Sequence, residues 1–264
     1  MNIRSLLLAG LAFLAISLLV QAPAATVYTW LKPKDRPMPV ELTGIEGRVI
    51  DGRVAGVVRN GSPLLSDLRW QLKPAQLLLG RIGLQLQSIR DPVLLDGAAS
   101  VTLLGTLRLK DFRANGGLRP LAAAAGFPFV PLDGQLGLDL SQLRMSKGQV
   151  REAEGTVELM GLAWALGQPT PLGDFRADVT TEGDDIVAKI ASVSGPLELS
   201  GDARLTPDQN YELNLRARAK PGAPPMLPNL LMQMGPPDAQ GFHTLKRQGL
   251  LPGAKPPEQA AEQP

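Results

Sequence analysis

The sequence contains no cysteine and a single histidine, His243. The absence of cysteine excludes disulfide bonds, thiolate catalysis and cysteine-based metal sites. It does not assign a cellular compartment, because proteins of either redox environment can lack cysteine. A catalytic triad built on histidine would depend on His243, which lies in an irregular, proline-rich part of the sequence. We therefore expect His243 to be an ordinary surface residue.

Motifs that carry catalysis or nucleotide binding are also absent. The sequence has no G-x-S-x-G elbow, no S-x-x-K pair, no phosphate-binding P-loop and no G-x-G-x-x-G after a strand. Glu182, Asp184 and Asp185 lack the alternate spacing of a calcium loop, and we interpret them as a solvated hairpin turn. The sequence therefore predicts no catalytic, cofactor-binding or metal-binding residue, and a protein that is not an enzyme.

Aromatic residues make up only 4% of the chain, although hydrophobic residues make up 44%. The 264 residues can bury a sizeable core, and that core must be aliphatic. The net charge is +2, with basic and acidic residues interspersed. A nucleic-acid-binding domain usually carries a clustered basic face, so we expect no nucleic-acid partner.

The N-terminal part carries no charge between Arg4 and Lys32, and nearly every residue from 6 to 20 is apolar. This run exceeds the roughly 20 residues that span a bilayer as a helix. It has two interpretations: a cleaved signal peptide with its small-residue site at 22–24, or an uncleaved membrane anchor over residues 1–30. The uncharged sequence that continues to Trp30 favours the anchor. Either way, the remainder of the chain is exported.

The stretch LRWQLKPAQLLLGRIGLQLQ, residues 68–87, shows the pattern that dominates the rest of the chain. Large apolar residues alternate with Arg, Gln or Gly at 68–72 and again at 82–87. A period of two places the large residues on one face of a strand. Pro74 cannot donate a backbone hydrogen bond, so it marks a turn or an edge. The stretch predicts two half-buried strands around a short connection.

The same pattern divides the chain into segments. Residues 31–39 are predicted to be an extended spacer, 40–220 an exported β-rich domain, and 221–264 a proline-rich, disordered tail that begins with a short apolar helix or docking segment at 228–234. Within the domain, Asp51-Gly52 and Asn60-Gly61 predict hairpin turns. Residues 116–127 form the one plausible helix. The predicted fold is mainly β: an N-terminal transmembrane helix followed by an antiparallel meander or curved sheet with one short helix.

The sequence resembles the N component of the bacterial type II secretion system, the general secretion pathway protein N family. The resemblance lies in the N-terminal anchor, in the segment VELTGIEGRVIDGRVAGV, in a later Gly-Thr-Val-x-Leu, and in the signature W-x-L-x-P-x-x-L-L-x-G. The residues on that signature are Trp70, Leu72, Pro74, Leu77, Leu78 and Gly80. We expect Trp70 to anchor a structural hairpin and residues 74–76 to form its corner.

The resemblance implies a non-enzymatic, single-pass inner-membrane protein with a periplasmic β-rich domain. Such a protein would assist the export of folded proteins across the outer membrane through contacts with other secretion components. It implies no cofactor and no catalytic residue. The amphipathic strands also resemble AsmA-like proteins, which leaves a lipid-binding or lipid-transfer module, with lipid in an apolar β groove, as the alternative.

Overall fold

Thirteen antiparallel strands form one sheet, in which every strand pairs with its neighbours in the sequence. The computed structural model describes residues 21–31, 40–59, 61–77, 79–90, 92–124, 127 and 129–251. The strands are β1 Val40–Gly47, β2 Asp51–Arg59, β3 Ser62–Leu72, β4 Arg81–Ser88, β5 Val93–Thr102, β6 Leu107–Gly117, β7 Leu132–Ser146, β8 Gln149–Trp164, β9 Thr170–Glu182, β10 Asp185–Ser194, β11 Leu197–Leu205, β12 Asn210–Ala219 and β13 His243–Leu250. The predicted antiparallel meander is confirmed.

Each strand alternates between an apolar and a polar face, and the registers join these positions into rows across the sheet. One row is largely apolar and runs through β5 to β13: Leu95, Ala114, Leu138, Val157, Ala177, Ile190, Gly201, Leu215 and Leu245. A polar row crosses all the strands: Glu46, Arg53, Arg69, Gln87, Asp96, Arg113, Asp139, Thr156, Asp178, Lys189, Asp202, Asn214 and Lys246. The two-residue period of the sequence therefore makes a sheet with one polar and one apolar face.

Four helices occur among the described residues: α1 Ala24–Leu31, α2 Pro74–Leu77, α3 Leu118–Ala124 and α4 Met226–Met232. A hydrophobic core lies where α4 packs on the apolar face of β8, β9, β11 and β12. Its buried members are Leu162, Leu172, Phe175, Leu197, Ala217, Leu227 and Leu231. Helix α3 contacts a different set of strands, β3, β6 and β7. The helices cover parts of the apolar face that a single sheet would leave in water.

Several local predictions are confirmed. Residues 68–87 form the end of β3 and most of β4, joined by α2, whose first residue is Pro74. Proline is tolerated there because the first helical N–H has no intrahelical acceptor. Helix α3 lies within the predicted 116–127 segment. Gly61 has φ +77° and lies between the paired residues Arg59 and Ser62, as a hairpin turn requires; Asn60 lies outside the described residues.

The turn between β1 and β2 differs from the prediction of Asp51-Gly52. The N–H of Arg48 donates to the carbonyl of Asp51 at 2.8 Å, so Val49 and Ile50 form the turn and Gly52 lies in β2. A Cβ on Gly52 would lie 2.3 Å from Cζ2 of Trp70. The glycine is therefore needed for the close approach of the indole ring and not for the turn.

The prediction of disorder from residue 221 is wrong for residues 221–251. Helix α4 buries Leu227 and Leu231, and β13 pairs with β12 from Asn210↔Leu250 to Ala217↔His243. The prolines of this segment lie in connections and at the start of α4, where a missing N–H costs little. Helix α4 overlaps the short apolar helix or docking segment predicted at 228–234. Within the predicted 40–220 domain the expectation of one short helix is wrong, because α2 accompanies α3. Residues 252–264 lie outside the described residues.

The predicted membrane segment and spacer fall mostly outside the description, since residues 1–20 and 32–39 are not described. Among the described residues, no helix has the length and apolar character needed to cross a bilayer. Pro23 forms an isolated bridge with Arg48, and the N–H of Val49 donates to the carbonyl of Ala22 at 3.0 Å. The chain therefore enters the fold beside the β1–β2 turn.

Candidate interaction surface

An open groove with a volume of about 590 Å³ crosses the sheet from β4 to β9. Some of the polar side chains that line the groove belong to the polar row, on strands β5 to β8. Others belong to the neighbouring row of the same face, which lies closer to the β6–β7 connection. The charged residues in the lining are Asp96, Arg113, Asp139, Glu158 and Arg176. Gly137, which has no side chain, lies among them and leaves space between the neighbouring strands. We call this surface the polar groove.

Arg113 and Asp139 form a cross-strand ion pair in the polar groove. Their residues are direct partners in the β6–β7 register, and Nε of Arg113 lies 3.2 Å from Oδ2 of Asp139. The two side chains are 75% and 61% exposed. Water and salt screen so exposed a pair, which contributes at most about 1 kcal/mol to stability. Both groups therefore stay available to exchange partners with a docking molecule.

Arg176 joins three side chains of β8 and β9. Its Nε donates to Oδ1 of Asp178 at 2.9 Å, and its other nitrogens lie 3.4 Å from Oε1 of Glu158 and 3.3 Å from Oγ1 of Thr156. The hydrogen bond between Arg176 and Asp178 lowers the pKa of Asp178 and raises the pKa of Arg176 from their ordinary values. Both groups are therefore charged at neutral pH, and the groove presents fixed charges of both signs.

Apolar side chains flank these charges. Ile89, Leu94 and Met160 line the groove and are 59%, 45% and 37% exposed. Leu94 occupies a polar-face position of β5, and Met160 pairs with Gln135 beside a register shift of β8. When such a surface meets another molecule, burial of the apolar groups is favourable and the charges fix the register of the contact.

The described residues contain no group of three or more His, Asp or Glu side chains placed to hold a metal ion. Asp185, from the acidic 182–185 turn, lies 2.9 Å from a guanidinium nitrogen of Arg204. In the polar groove Arg113 is paired with Asp139, and Arg176 is paired with Glu158 and Asp178. Oγ1 of Thr156 donates to Oδ1 of Asp178 at 3.3 Å.

His243 is not the surface residue that the sequence predicts. It is buried, with 7% of its surface exposed, and its Nδ1 lies 2.7 Å from the carbonyl oxygen of Gly235. Because a carbonyl can only accept, Nδ1 carries the proton and donates it. This hydrogen bond therefore holds the connection between α4 and β13 against the first residue of β13.

The described signature residues lie together at one end of the sheet, outside the polar groove. Nε1 of the half-buried Trp70 donates to the carbonyl of Val49 at 3.0 Å, and Leu72 is buried. Pro74 and Leu77 begin and end α2, and Gly80 follows with φ +68°. Leu78 lies outside the described residues. These residues hold the β1–β2 turn against the β3–β4 corner.

Sequence reasoning missed the polar groove. Arg113, Asp139, Glu158 and Arg176 lie on four successive strands, and each looks like an ordinary solvent-facing residue of an alternating strand. Only the registers of β6 to β9 bring them into one surface. Their placement on polar-face positions was the available signal.

Comparisons with known proteins agree on one family. The family model for type II secretion system (T2SS) protein N matches residues 38–246. The chain is 28% identical over 257 residues to the type II secretion system protein N of Vibrio cholerae serotype O1, covering 92% of this chain and 97% of that protein. It is 27% identical over 242 residues to the protein of that name from Aeromonas hydrophila, covering 89% and 93%. No solved structure matches.

The family match spans nearly the whole sheet, from the residues just before β1 into β13. It therefore includes the signature corner, the polar groove and the segment after residue 220 that completes the core. The chain belongs to the type II secretion system protein N family and is a component of that protein secretion system.

Proposed function

We propose that this chain is a non-enzymatic, single-pass inner-membrane component of the type II secretion system, with its sheet in the periplasm. It assists export through contacts with another protein of the system. Membership of the protein N family is the observation that carries the role in secretion. The uncharged N-terminal run, long enough to span a bilayer, supports the anchor.

The polar groove is the proposed contact surface. Its fixed charges on β6 to β9 and its exposed Ile89, Leu94 and Met160 suit a partner segment that carries both charges and apolar side chains. Burial of each apolar side chain contributes on the order of 1–2 kcal/mol, because about half of its surface is already covered. A segment with a different charge pattern would place like charges next to each other in the groove. This repulsion gives the contact its specificity.

The experiment is complementation in a bacterium from which the gene for this protein has been deleted. Deletion should reduce the export of secreted enzymes, and the full chain should restore it. The variant Arg176→Glu reverses the charge in the polar groove beside Glu158 and Asp178. We expect this variant to accumulate in the membrane fraction as the parent does but to restore export several-fold less well.

Arg204→Glu is the matched control. Arg204 is 50% exposed against 48% for Arg176, and it also pairs with an aspartate, Asp185, but it lies on β11 outside the groove. It should restore export fully. Equal export from both variants would refute the groove as the contact surface, and normal export after deletion of the gene would refute the role in secretion.

The lipid-binding alternative draws on the apolar face, which is continuous across β5 to β13. Against it, α4 covers that face between β8 and β12, with Leu227 and Leu231 inserted where an acyl chain would lie. The alternative is tested by mass spectrometry of the full chain in gentle detergent. Phospholipid retained in a fixed ratio after exchange into a second detergent would favour it, and a lipid-free mass would count against it.

A further inference from the structure

Five apolar side chains are exposed together at one end of the sheet, in the β3–β4 corner and around the β5–β6 turn. They are Leu79, Ile82, Val101, Leu103 and Leu104, with exposed fractions of 72%, 47%, 41%, 84% and 90%. We call this set the leucine tip. Water-exposed leucines at the end of a hairpin are unfavourable unless another phase or molecule covers them.

The leucine tip is one connected surface. Ile82 and Val101 are direct partners in the β4–β5 register. A Cβ built on Gly80 would lie 4.0 Å from Cδ1 of Leu103, which places the β5–β6 turn beside the β3–β4 corner. The tip therefore combines two neighbouring connections that both project beyond the end of the sheet.

The turn that carries Leu103 and Leu104 is held by its backbone. The N–H of Thr102 donates to the carbonyl of Thr106 at 3.0 Å, and the N–H of Gly105 donates to the carbonyl of Thr102 at 2.9 Å. The N–H of Thr106 donates to Oγ1 of Thr102 at 3.1 Å. Because these bonds fix the turn, insertion of its leucines into an apolar phase would cost little further ordering.

Cations without a carboxylate partner among the described residues surround the tip; Nζ of one of them, Lys73, donates to Oε1 of Gln85 at 3.0 Å. Lys73, Arg81, Arg108 and Lys110 lie in or beside the corner and the first residues of β4 and β6. None of them forms an ion pair with a carboxylate in the described part of the chain, in contrast to most arginines of the polar face. Asp111 is the nearest acidic residue in sequence. The tip is therefore apolar at its end and basic around its base, which complements a layer of anionic headgroups over hydrocarbon.

The N-terminal segment reaches the fold at this same end. Residues 22 and 23 contact the β1–β2 turn, which packs on the end of β3 through the Trp70 and Leu72 hydrogen bonds. The distance from β2 to the β5–β6 turn is three to four strand spacings, or roughly 15–20 Å. An apolar segment over residues 6–20 and the leucine tip can therefore meet one membrane surface.

We propose that the leucine tip inserts into the surface of an anionic phospholipid bilayer and holds the sheet upright on the membrane. The leucines enter the headgroup–hydrocarbon boundary, and the surrounding cations bind lipid phosphates. The polar groove, toward the other end of the strands, then faces away from the membrane. This inference extends the proposed membrane anchorage to a second contact made by the folded domain.

The test uses the absence of cysteine from the chain. Leu104→Cys in the full chain is labelled with an environment-sensitive fluorophore and reconstituted into phosphatidylethanolamine–phosphatidylglycerol vesicles. Val193→Cys is the matched control, because Val193 is also apolar and 66% exposed but lies next to the β10–β11 turn at the opposite end of the sheet. We expect a blue shift and quenching by a lipid-borne quencher at position 104, and a water-like spectrum at position 193.

Charge dependence supplies a second readout. Arg108→Gln should lower the ratio of inserted to exposed label about fivefold, which corresponds to ~1 kcal/mol per basic side chain at an anionic surface. A water-like spectrum at position 104 in protein that floats with vesicles would overturn the tip contact and leave the anchor intact. A blue shift without lipid quenching would assign the tip to a protein contact, and a shift at both positions would refute a directed insertion. Protein that does not float would refute both the anchor and the tip.

Discussion

Truncation of Leu227 provides the sharpest test of the order found beyond residue 220. Leu227 is 1% exposed and lies in the core formed by α4 and strands β8, β9, β11 and β12. Truncation of a fully buried leucine to alanine costs about 2–5 kcal/mol, from lost transfer free energy and the cavity left behind. We expect Leu227→Ala to lower the free energy of unfolding by an amount in this range.

The burial of its leucine side chains holds α4 in place more than its own helical hydrogen bonds do. The helix has seven residues, and no side chain caps its N-terminus. A helix this short is not stable alone in water, so packing of Leu227 and Leu231 must hold it. Loss of one of the two anchors should therefore loosen α4 and the connection that leads to β13.

Met232→Ala is the matched control on the same helix, because Met232 is 65% exposed. We expect it to change stability by no more than about 0.5 kcal/mol. The assay is denaturant unfolding of the full chain in detergent, with hydrogen exchange across residues 226–250 as the local readout. Equal stability and equal exchange in the two variants would refute the assignment of this segment to the core.

Two further predictions concern the ends of the sheet. Gly52→Ala places a methyl group against the indole of Trp70 and should cost about 1–3 kcal/mol in unfolding free energy; an unchanged melting curve would contradict that packing. The pKa of Asp238 is lowered from 3.8, first by the N–H of Phe242 and also by Gln240 and Arg216. A lowered folded pKa gives stability that is present above the ordinary value and lost as pH falls through the folded pKa. Asp238→Asn should therefore be less stable than the parent at neutral pH, and the difference should shrink below pH 3.8; a difference independent of pH would contradict this origin.

The two-residue period of apolar side chains predicted much of the secondary structure. It predicted β3 and β4 around Pro74, and the same alternation continues through the other strands. The register could not be read in the same way, because it depends on turn length and on the bulges that shift pairing within β7 and β8. The prediction of a turn at Asp51-Gly52 was wrong. Val49 and Ile50 form the turn, and Gly52 lies in β2 against the indole ring of Trp70.

The interpretation of residues 221–251 failed for a related reason. Composition alone suggested disorder, since the segment is rich in proline and has little periodicity. In the structure two leucines of α4 enter a core that strands β8, β9, β11 and β12 build, and β12 offers β13 its unpaired edge. Such order depends on residues distant in sequence, and the composition of the segment contains no information about them.

The sequence by itself determined the secondary structure class, the two faces of the strands, helix α3, the turn at Gly61 and the turn at 182–185. These depend on side-chain period and on residues adjacent in the chain. The tertiary structure alone decided the polar groove, the leucine tip and the position of α4. Each of these joins side chains from several strands, and alternation shows which face a residue occupies but not which residues of other strands become its neighbours.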